Sequence, residues 1–244
     1  MLERVKHIAR TLLIALEWPI TRNIKYDILT GRVLRKVLHS RSSCVDVGAH
    51  KGEMLELIKK YAPEGHHYAF EPIPNLFAAL KLSQMEHVDV YPYALSNFEG
   101  ATTFHLVKSD PAYSGIKRRT YAKANAEIEL IEVQVRCMDE ILKSRTSKID
   151  LIKIDVEGGE LDVMKGARHI LATDQPLLVF ECGKGASEFY NNTPEMVFDY
   201  LSDASYQIFK LSSFLNGEPA YHRTSFIDTF YSGAEYYFIA QSKG

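Results

Sequence analysis

Short apolar runs typical of strands alternate along most of the chain with segments whose apolar residues recur at helical spacing. Short apolar and β-branched runs predict strands at 43–47, 67–70, 88–90, 149–154, 177–180, 206–211 and 236–240. Apolar residues at helical spacing predict helices at 53–61, 75–83, 160–171 and 194–201. Because strands that alternate with helices form parallel sheets covered on both faces, we predict an α/β fold with a mainly parallel sheet.

One segment interrupts this alternation. Residues 101–107 and 128–135 have the composition of strands, and a polar stretch lies between them. We interpret the region near 98–136 as a β-rich insert beside the sheet. Long irregular loops in compact domains often carry function. The basic run Lys117–Arg119 within it is typical of a solvated loop.

The N-terminus carries a further helical pattern. Apolar residues between Leu2 and Leu16 predict a helix that docks on the domain, with a helix lying on a membrane surface as the alternative. The apolar run at 12–16 is far shorter than the roughly 20 residues that span a bilayer. We therefore predict an N-terminal helical extension at 1–42 and one domain at 43–244.

Composition narrows the choice of partners. The chain has 244 residues, a net charge of −2 and 46% hydrophobic residues, as expected for a globular domain. Without a basic excess, nucleic acid is not an expected partner. Cys44, Cys137 and Cys182 lack the paired spacing of disulfide or zinc sites, so a reducing, cytoplasmic location is the simpler expectation.

The turn after the first strand is a candidate ligand site. Gly48 and Gly52 allow a tight turn in the crevice beyond the carboxyl ends of the strands. Ala49 and His50 follow Gly48, so the dinucleotide pattern G-x-G-x-x-G is not matched. Asp46 would repel a pyrophosphate and suits a cation. The turn therefore favours a cationic nucleoside; a turn without a ligand is the alternative.

An acidic residue ends the second predicted strand. That residue is Glu71. In nucleotide-binding α/β folds, a carboxylate at the end of this strand accepts hydrogen bonds from the ribose hydroxyls. Pro72 stiffens the chain that follows. Alone, Glu71 would be a surface acid; together with the turn at Gly48, it favours a ribose site.

Three blocks of the sequence resemble one family. Val45–Gly52, Phe70–Pro74 and Asp150–Glu160 are similar to the FkbM family of S-adenosylmethionine-dependent methyltransferases, and Ala94–Ser96 and Phe180–Cys182 match further blocks. The resemblance implies a Rossmann-like class I methyltransferase fold, in which a seven-stranded sheet has one antiparallel strand. It also implies S-adenosylmethionine as the cofactor and, usually, O-methylation.

The resemblance assigns parts of the cofactor to parts of the chain. The turn lies near the methionine part, the second strand end takes the ribose, and residues 93–96 lie near the adenine. The expected cofactor-binding residues are Asp46, Gly48, Ala49, His50, Gly52, Glu71, Pro72, Ala94 and Ser96.

Short members of the family include enzymes that methylate sugars. Among them is a nodulation-type 2-O-methyltransferase that acts on the fucose of a lipochitooligosaccharide signal, and the chain has a similar length. We therefore expect the acceptor to be a hydroxyl of a small molecule, a glycan or a glycolipid. No motif identifies the acceptor or the oligomeric state.

Charged residues close the strand predicted at 149–154. If the chain stays extended, alternation places Lys153, Asp155 and Glu157 on one side of the strand. Because burying three charges in a core is costly, we expect this side to lie at the edge of a crevice. A base that takes the proton of the acceptor hydroxyl accelerates such reactions about 10²–10⁴-fold. We expect Asp155 as the base or hydroxyl anchor and Glu157 as the second candidate. Lys153 would orient these acids; a salt-bridged strand end is the alternative.

Other residues have weaker claims. His50 could act as the base, but we expect a structural, hydrogen-bonded role for a single histidine in a turn. Glu160 is expected at the start of a helix, where the helix dipole favours an acid. Asp155 and Glu157 offer oxygen ligands suited to Mg²⁺, and Glu181 would join them, but we expect no metal.

Two other functions compete on the same sheet. A nucleotide-cofactor oxidoreductase of the NAD type is disfavoured by the glycine spacing and by Asp46. A non-catalytic nucleoside-binding module is disfavoured because Asp46, Glu71 and Asp155 are all present.

Overall fold

The central element of the fold is a seven-stranded sheet. The computed structural model describes residues 13–14, 16–119 and 127–243. The strands of this sheet are β1 (Ser43–Val47), β2 (His67–Phe70), β3 (Val88–Tyr91), β7 (Ile149–Ile154), β8 (Leu177–Glu181), β9 (Tyr206–Lys210) and β10 (Tyr237–Ser242). Their order is β3-β2-β1-β7-β8-β10-β9, which confirms the predicted sheet.

One strand of the sheet runs against the others. β10 pairs antiparallel with both β8 and β9, whereas the pairs from β3 through β8 are parallel. The chain starts at β1, moves outward to β3 and returns on the other side of β1 as β7. The strand order therefore reverses between β1 and β7, and ligands of open α/β sheets bind at this position.

Helices cover both faces of the sheet. Among the described residues, they are α1 (Arg22–Val37), α2 (Glu53–Tyr61), α3 (Pro74–Leu82), α4 (Met138–Ile141), α5 (Glu160–Gly166), α6 (Arg168–Thr173), α7 (Pro194–Asp203), α8 (Leu211–Asn216) and α9 (Arg223–Ser232). One core cluster joins β1 and β7 to α5, α6, α7 and α9, and a second joins the same strands to α1, α2 and α8. No helix of the described part is long and apolar enough to cross a bilayer.

The insert forms a small sheet of its own. β5 (Gly100–Val107) pairs antiparallel with β6 (Ile128–Arg136), as the sequence predicts, and β4 (Tyr93–Leu95) adds a parallel edge. Residues 120–126, between β5 and β6, lie outside the described part.

Some helices differ from the prediction. The helix predicted at 160–171 is divided in two at Ala167. α4, α8 and α9 were not predicted, whereas α1 lies within the helical extension predicted at 1–42. Most of the helix predicted near residues 2–16 lies outside the described residues. The side chain of Thr21 caps α1 by accepting from the backbone N–H of Ile24, and the helix buries Val33 and Leu34 against the domain.

Candidate functional site

A cleft opens beyond the carboxyl ends of β1, β2 and β7. The sequence-predicted residues that line it are Gly48, His50, Glu71, Pro72, Ala94, Ser96, Asp155 and Glu157. The turn after β1, the end of β2 and the block Asp150–Glu160 therefore meet at one place.

The turn after β1 requires glycine at its first position. Gly48 has a φ of 76°, and a Cβ atom there would lie 2.0 Å from the carbonyl oxygen of Asp155. The backbone N–H groups of Gly48 and Ala49 donate to the carbonyl of Phe70, at 3.0 and 3.1 Å. The turn is thereby packed against β7 and tied to β2. Gly52 faces Leu80 of α3, so it shapes the turn without lining the cleft.

Glu71 is held by the backbone. Its side chain is buried, and its two carboxylate oxygens accept from the N–H groups of His50 at 2.8 Å and of Ile73 at 2.9 Å. Burial raises the pKa of Glu71 to about 7. Because a carboxylate offers about four acceptor positions, one fixed in this way still accepts hydrogen bonds from a ribose.

The imidazole of His50 faces the same cleft. Its Nε2 is buried and makes no hydrogen bond to the described residues. Burial lowers the pKa of His50, which favours the neutral ring. Because buried polar atoms are usually hydrogen-bonded, the unpaired Nε2 of His50 is consistent with a site that binds a polar ligand.

Asp46 and Lys153 lie beneath the cleft. They are register partners on β1 and β7, and the Lys153 Nζ lies 3.2 Å from the Asp46 Oδ1. The same Nζ donates to the carbonyls of Val47 at 3.3 Å and Gly48 at 2.8 Å. Burial opposes its charge, but the neighbouring carboxylates outweigh this and raise the pKa of Lys153. The geometry therefore gives Lys153 a role in holding the turn.

Three carboxylates converge at the ends of β7 and β8. One oxygen each of Asp155, Glu157 and Glu181 lies within 4.8 Å of the others. The predicted strand alternation through Glu157 is wrong, because β7 ends at Ile154 and Glu157 has a left-handed φ of 62°. A turn at Glu157 and Gly158 brings the acids together instead.

Each of these acids has a distinct environment. The Tyr237 hydroxyl donates to the Asp155 Oδ2 at 3.2 Å, and the Arg119 guanidinium pairs with Glu157. Burial and the charge of Asp155 raise the pKa of Glu157 to about 8 and that of Glu181 well above its usual value. The three oxygens are of a kind that a divalent cation also binds, but cationic or hydroxyl groups already contact Asp155 and Glu157.

Glu160 lies in the first turn of the helix that follows, as expected. Its Oε1 accepts from the backbone N–H groups of Val156 at 3.2 Å and Gly158 at 3.0 Å. This pairing fixes the turn that carries Glu157.

The insert covers one side of the cleft. Pro111, Ala112, Ser114 and Ile116 line it, and the Lys117 N–H donates to the Tyr190 hydroxyl at 3.2 Å. Residues far apart in the chain form this wall, including Ser114 and Tyr190, so no single block of the sequence predicts it.

The expectation of a solvated basic loop is wrong for Arg119. Its side chain is only 14% exposed, because it pairs with Glu157 and lies over the ring of Tyr113. Tyr221 and Phe226 do not line the cleft: Phe226 is fully buried in the core and Tyr221 packs against it.

Comparison with known proteins gives the family. Residues 46–208 match the model of the methyltransferase FkbM domain. A protein named methyltransferase 1 from Beauveria bassiana (strain ARSEF 2860) is 24% identical over 144 residues, which are 51% of this chain and 58% of that protein.

Solved structures are similar in fold. Methyltransferase FkbM from Methylobacillus flagellatus KT aligns with a TM-score of 0.50 and 14% identity, over 98% of this chain and 60% of that one. Aeropyrum pernix fibrillarin with natively bound S-adenosyl-L-methionine aligns with a TM-score of 0.44 and 11% identity, over 87% of this chain and 73% of that one.

The family match spans all the blocks that build the cleft, from Asp46 to Glu181. The chain covers about three fifths of the length of the first two of these relatives. The family model matches two thirds of the chain, and the sheet has the strand order expected of a class I methyltransferase. The chain therefore belongs to the FkbM methyltransferase family.

Proposed function

We propose that the chain transfers the methyl group of S-adenosylmethionine to a hydroxyl oxygen, with a neutral sugar as the acceptor. The observation that carries the proposal is that Glu71 and Asp155 line one cleft, with the turn at Gly48 between them. The family match supports methyl transfer, and the geometry of these residues supports the distribution of roles.

The residues of the cleft fit the cofactor. Glu71 would accept hydrogen bonds from the ribose hydroxyls, with Pro72 beside it. Ala94 and Ser96 border an apolar region with Ile73 and Phe104, which suits an adenine ring. His50 and the turn at Gly48 would contact the methionine part, while Asp46 and Ala49 support the turn from within.

Asp155 is the proposed base. When bound, S-adenosylmethionine supplies a methyl carbon on a cationic sulfur, and the C–S electron pair stays with sulfur as the new C–O bond forms. Asp155 takes the proton of the attacking hydroxyl. Glu157 is the second candidate, because its pairing with Arg119 already occupies its carboxylate.

The charges of the cleft favour an uncharged acceptor. Asp155, Glu157 and Glu181 lie together, whereas Arg119 is the described cation that contacts them from the insert. An anionic acceptor placed here would meet the charge of Asp155, which raises the free energy of binding. Sugar hydroxyls fit better, because they donate hydrogen bonds to carboxylates without adding charge.

A labelled-cofactor screen tests the function. The chain is incubated with S-adenosylmethionine that carries a trideuterated methyl group, together with neutral glycans, fucosylated chitooligosaccharides, glycolipids and anionic analogues. Mass spectrometry then detects the labelled methyl group, and parallel reactions contain a chelator. We expect transfer to a neutral hydroxyl, with and without the chelator.

Other outcomes would replace the proposal. Binding of S-adenosylhomocysteine without transfer to any acceptor would favour a nucleoside-binding module. Binding of NAD in its place would favour an oxidoreductase. Loss of transfer in the chelator, restored by Mg²⁺, would show that the three carboxylates hold a metal.

A further inference from the structure

Tyr237 lies beside the acid cluster at the start of β10. It is the register partner of Glu181 on the antiparallel strand β8, and side chains directly opposite each other on such strands share one face. Its hydroxyl reaches past this partner and donates to the Asp155 Oδ2 at 3.2 Å. The phenol thus connects the last strand of the sheet to the end of β7.

The hydrogen bond has a fixed direction. Burial and the charges of Asp155 and Glu181 raise the pKa of Tyr237 well above its usual value, so the phenol keeps its proton. A protonated phenol beside a carboxylate is the donor, and the carboxylate is the acceptor.

Two contacts of Asp155 lie at the same oxygen. The Lys153 Nζ is 3.9 Å from the Oδ2 that accepts from Tyr237. The neighbouring Glu181 side chain also bonds the Asp155 carboxylate, so contacts with three side chains restrict its rotation. A base that is held in one orientation avoids the entropic cost of finding it in each reaction cycle.

The ring of Tyr237 is itself held in place. It lies 5.7 Å, between centroids, from the ring of Tyr26 on α1. The hydroxyl of Tyr26 contacts Glu235, which precedes β10. Helix α1 thus packs against the strand end that carries Tyr237.

We propose that Tyr237 is a positioning residue for methyl transfer, because its hydroxyl orients the carboxylate of Asp155 toward the acceptor. This inference rests on the proposed function. Tyr237 does not line the cleft that would hold the cofactor. We therefore expect its substitution to lower the rate of methyl transfer and to leave the affinity for the cofactor unchanged.

The test compares two tyrosine variants with the wild type. Tyr237→Phe removes the hydroxyl and keeps the ring, and Tyr236→Phe makes the same change at the adjacent residue, whose hydroxyl contacts Asn23. For Tyr237→Phe we expect kcat to fall between about tenfold and a hundredfold, as for loss of a hydrogen bond to a charged group. The affinity for S-adenosylhomocysteine and the unfolding midpoint stay unchanged.

The contrast between kcat and cofactor affinity separates positioning from a structural role. Positioning lowers the kcat of Tyr237→Phe alone, whereas Tyr236→Phe keeps the wild-type kcat and both variants keep the wild-type affinity for S-adenosylhomocysteine. An active wild type with an equally active Tyr237→Phe variant would overturn the inference alone. Equal losses of kcat and cofactor affinity would also overturn it. A wild type that transfers no methyl group would overturn the proposed function and this inference together.

Discussion

The Nζ of Lys153 lies 3.2 Å from the Oδ1 of Asp46, between register partners of the two central strands. The same ammonium donates to the carbonyl oxygen of Gly48. One buried cation thus joins the turn beside the cleft to the strand that leads to Asp155. The fold and the candidate site therefore share this ion pair.

Lys153→Met should destabilise the fold. Removing one partner of a buried ion pair leaves the other charge uncompensated, which costs about 3–5 kcal/mol. Urea unfolding of the variant measures this loss, and Lys148→Met, at an exposed lysine, provides the control. An unfolding free energy within about 1 kcal/mol of the wild type would contradict the supporting role of Lys153.

Glu71→Ala should weaken binding of the cofactor. The variant loses acceptors for the ribose hydroxyls, and hydrogen bonds to a charged group contribute about 1.5–3 kcal/mol, or about tenfold to a hundredfold in affinity. Isothermal titration with S-adenosylhomocysteine gives the dissociation constant. Glu64→Ala, at an exposed acid paired with Arg41, should bind as the wild type does. Equal affinities in all three proteins would remove the ribose assignment.

Asp155→Ala should slow transfer while preserving cofactor binding. Loss of a general base lowers kcat about 10²–10⁴-fold. Single-turnover transfer of labelled methyl measures the chemical step, and titration confirms that the cofactor binds. Asp162→Ala removes a nearby acid that pairs with Lys165 in helix α5 and should retain the transfer rate. If Asp155→Ala turns over at the wild-type rate, Glu157 becomes the first candidate.

Glu157→Gln should gain stability relative to the wild type as pH rises. The pKa of Glu157 is raised from 4.5 to about 8 in the folded protein, so the folded state binds this proton more tightly than the unfolded chain. The resulting stabilisation is complete below pH 4.5 and is lost as pH rises through about 8. Because glutamine does not titrate, the variant does not lose this stabilisation as pH rises.

Urea unfolding at pH 5 and pH 8 measures the effect. Because one pKa unit corresponds to about 1.4 kcal/mol, the difference between Glu157→Gln and the wild type should change by at least about 1 kcal/mol between these values. Glu132→Gln, at an exposed acid, should show no such change. A pH-independent difference for Glu157→Gln would contradict the raised pKa that burial gives this acid.

Local patterns predicted the central sheet because its strands are short runs of mainly apolar and β-branched residues. The bounds predicted for the first strand, its helix and the strand at 149–154 agree with β1, α2 and β7, and the two insert strands agree within one residue at each end. Helices α8 and α9 were missed. α9 buries two aromatic residues, Phe226 and Phe230, among mostly polar residues, so its apolar pattern is weak.

Side-chain partners were harder to predict than elements. Glu71 and Asp155 follow directly from their places at strand ends. The pairs that shape the site, Arg119 with Glu157 and Tyr237 with Asp155, are 38 and 82 positions apart in the chain. Each depends on the turn at Glu157 or on the antiparallel register of β10, and neither leaves a periodic signal in the sequence.

A crystal structure with bound S-adenosylhomocysteine tests the central claim most directly. The account predicts the ribose hydroxyls within hydrogen-bond distance of the Glu71 carboxylate and the sulfur directed toward Asp155, above the turn at Gly48. A ligand that lies outside this cleft, or whose sulfur faces away from Asp155, would contradict it.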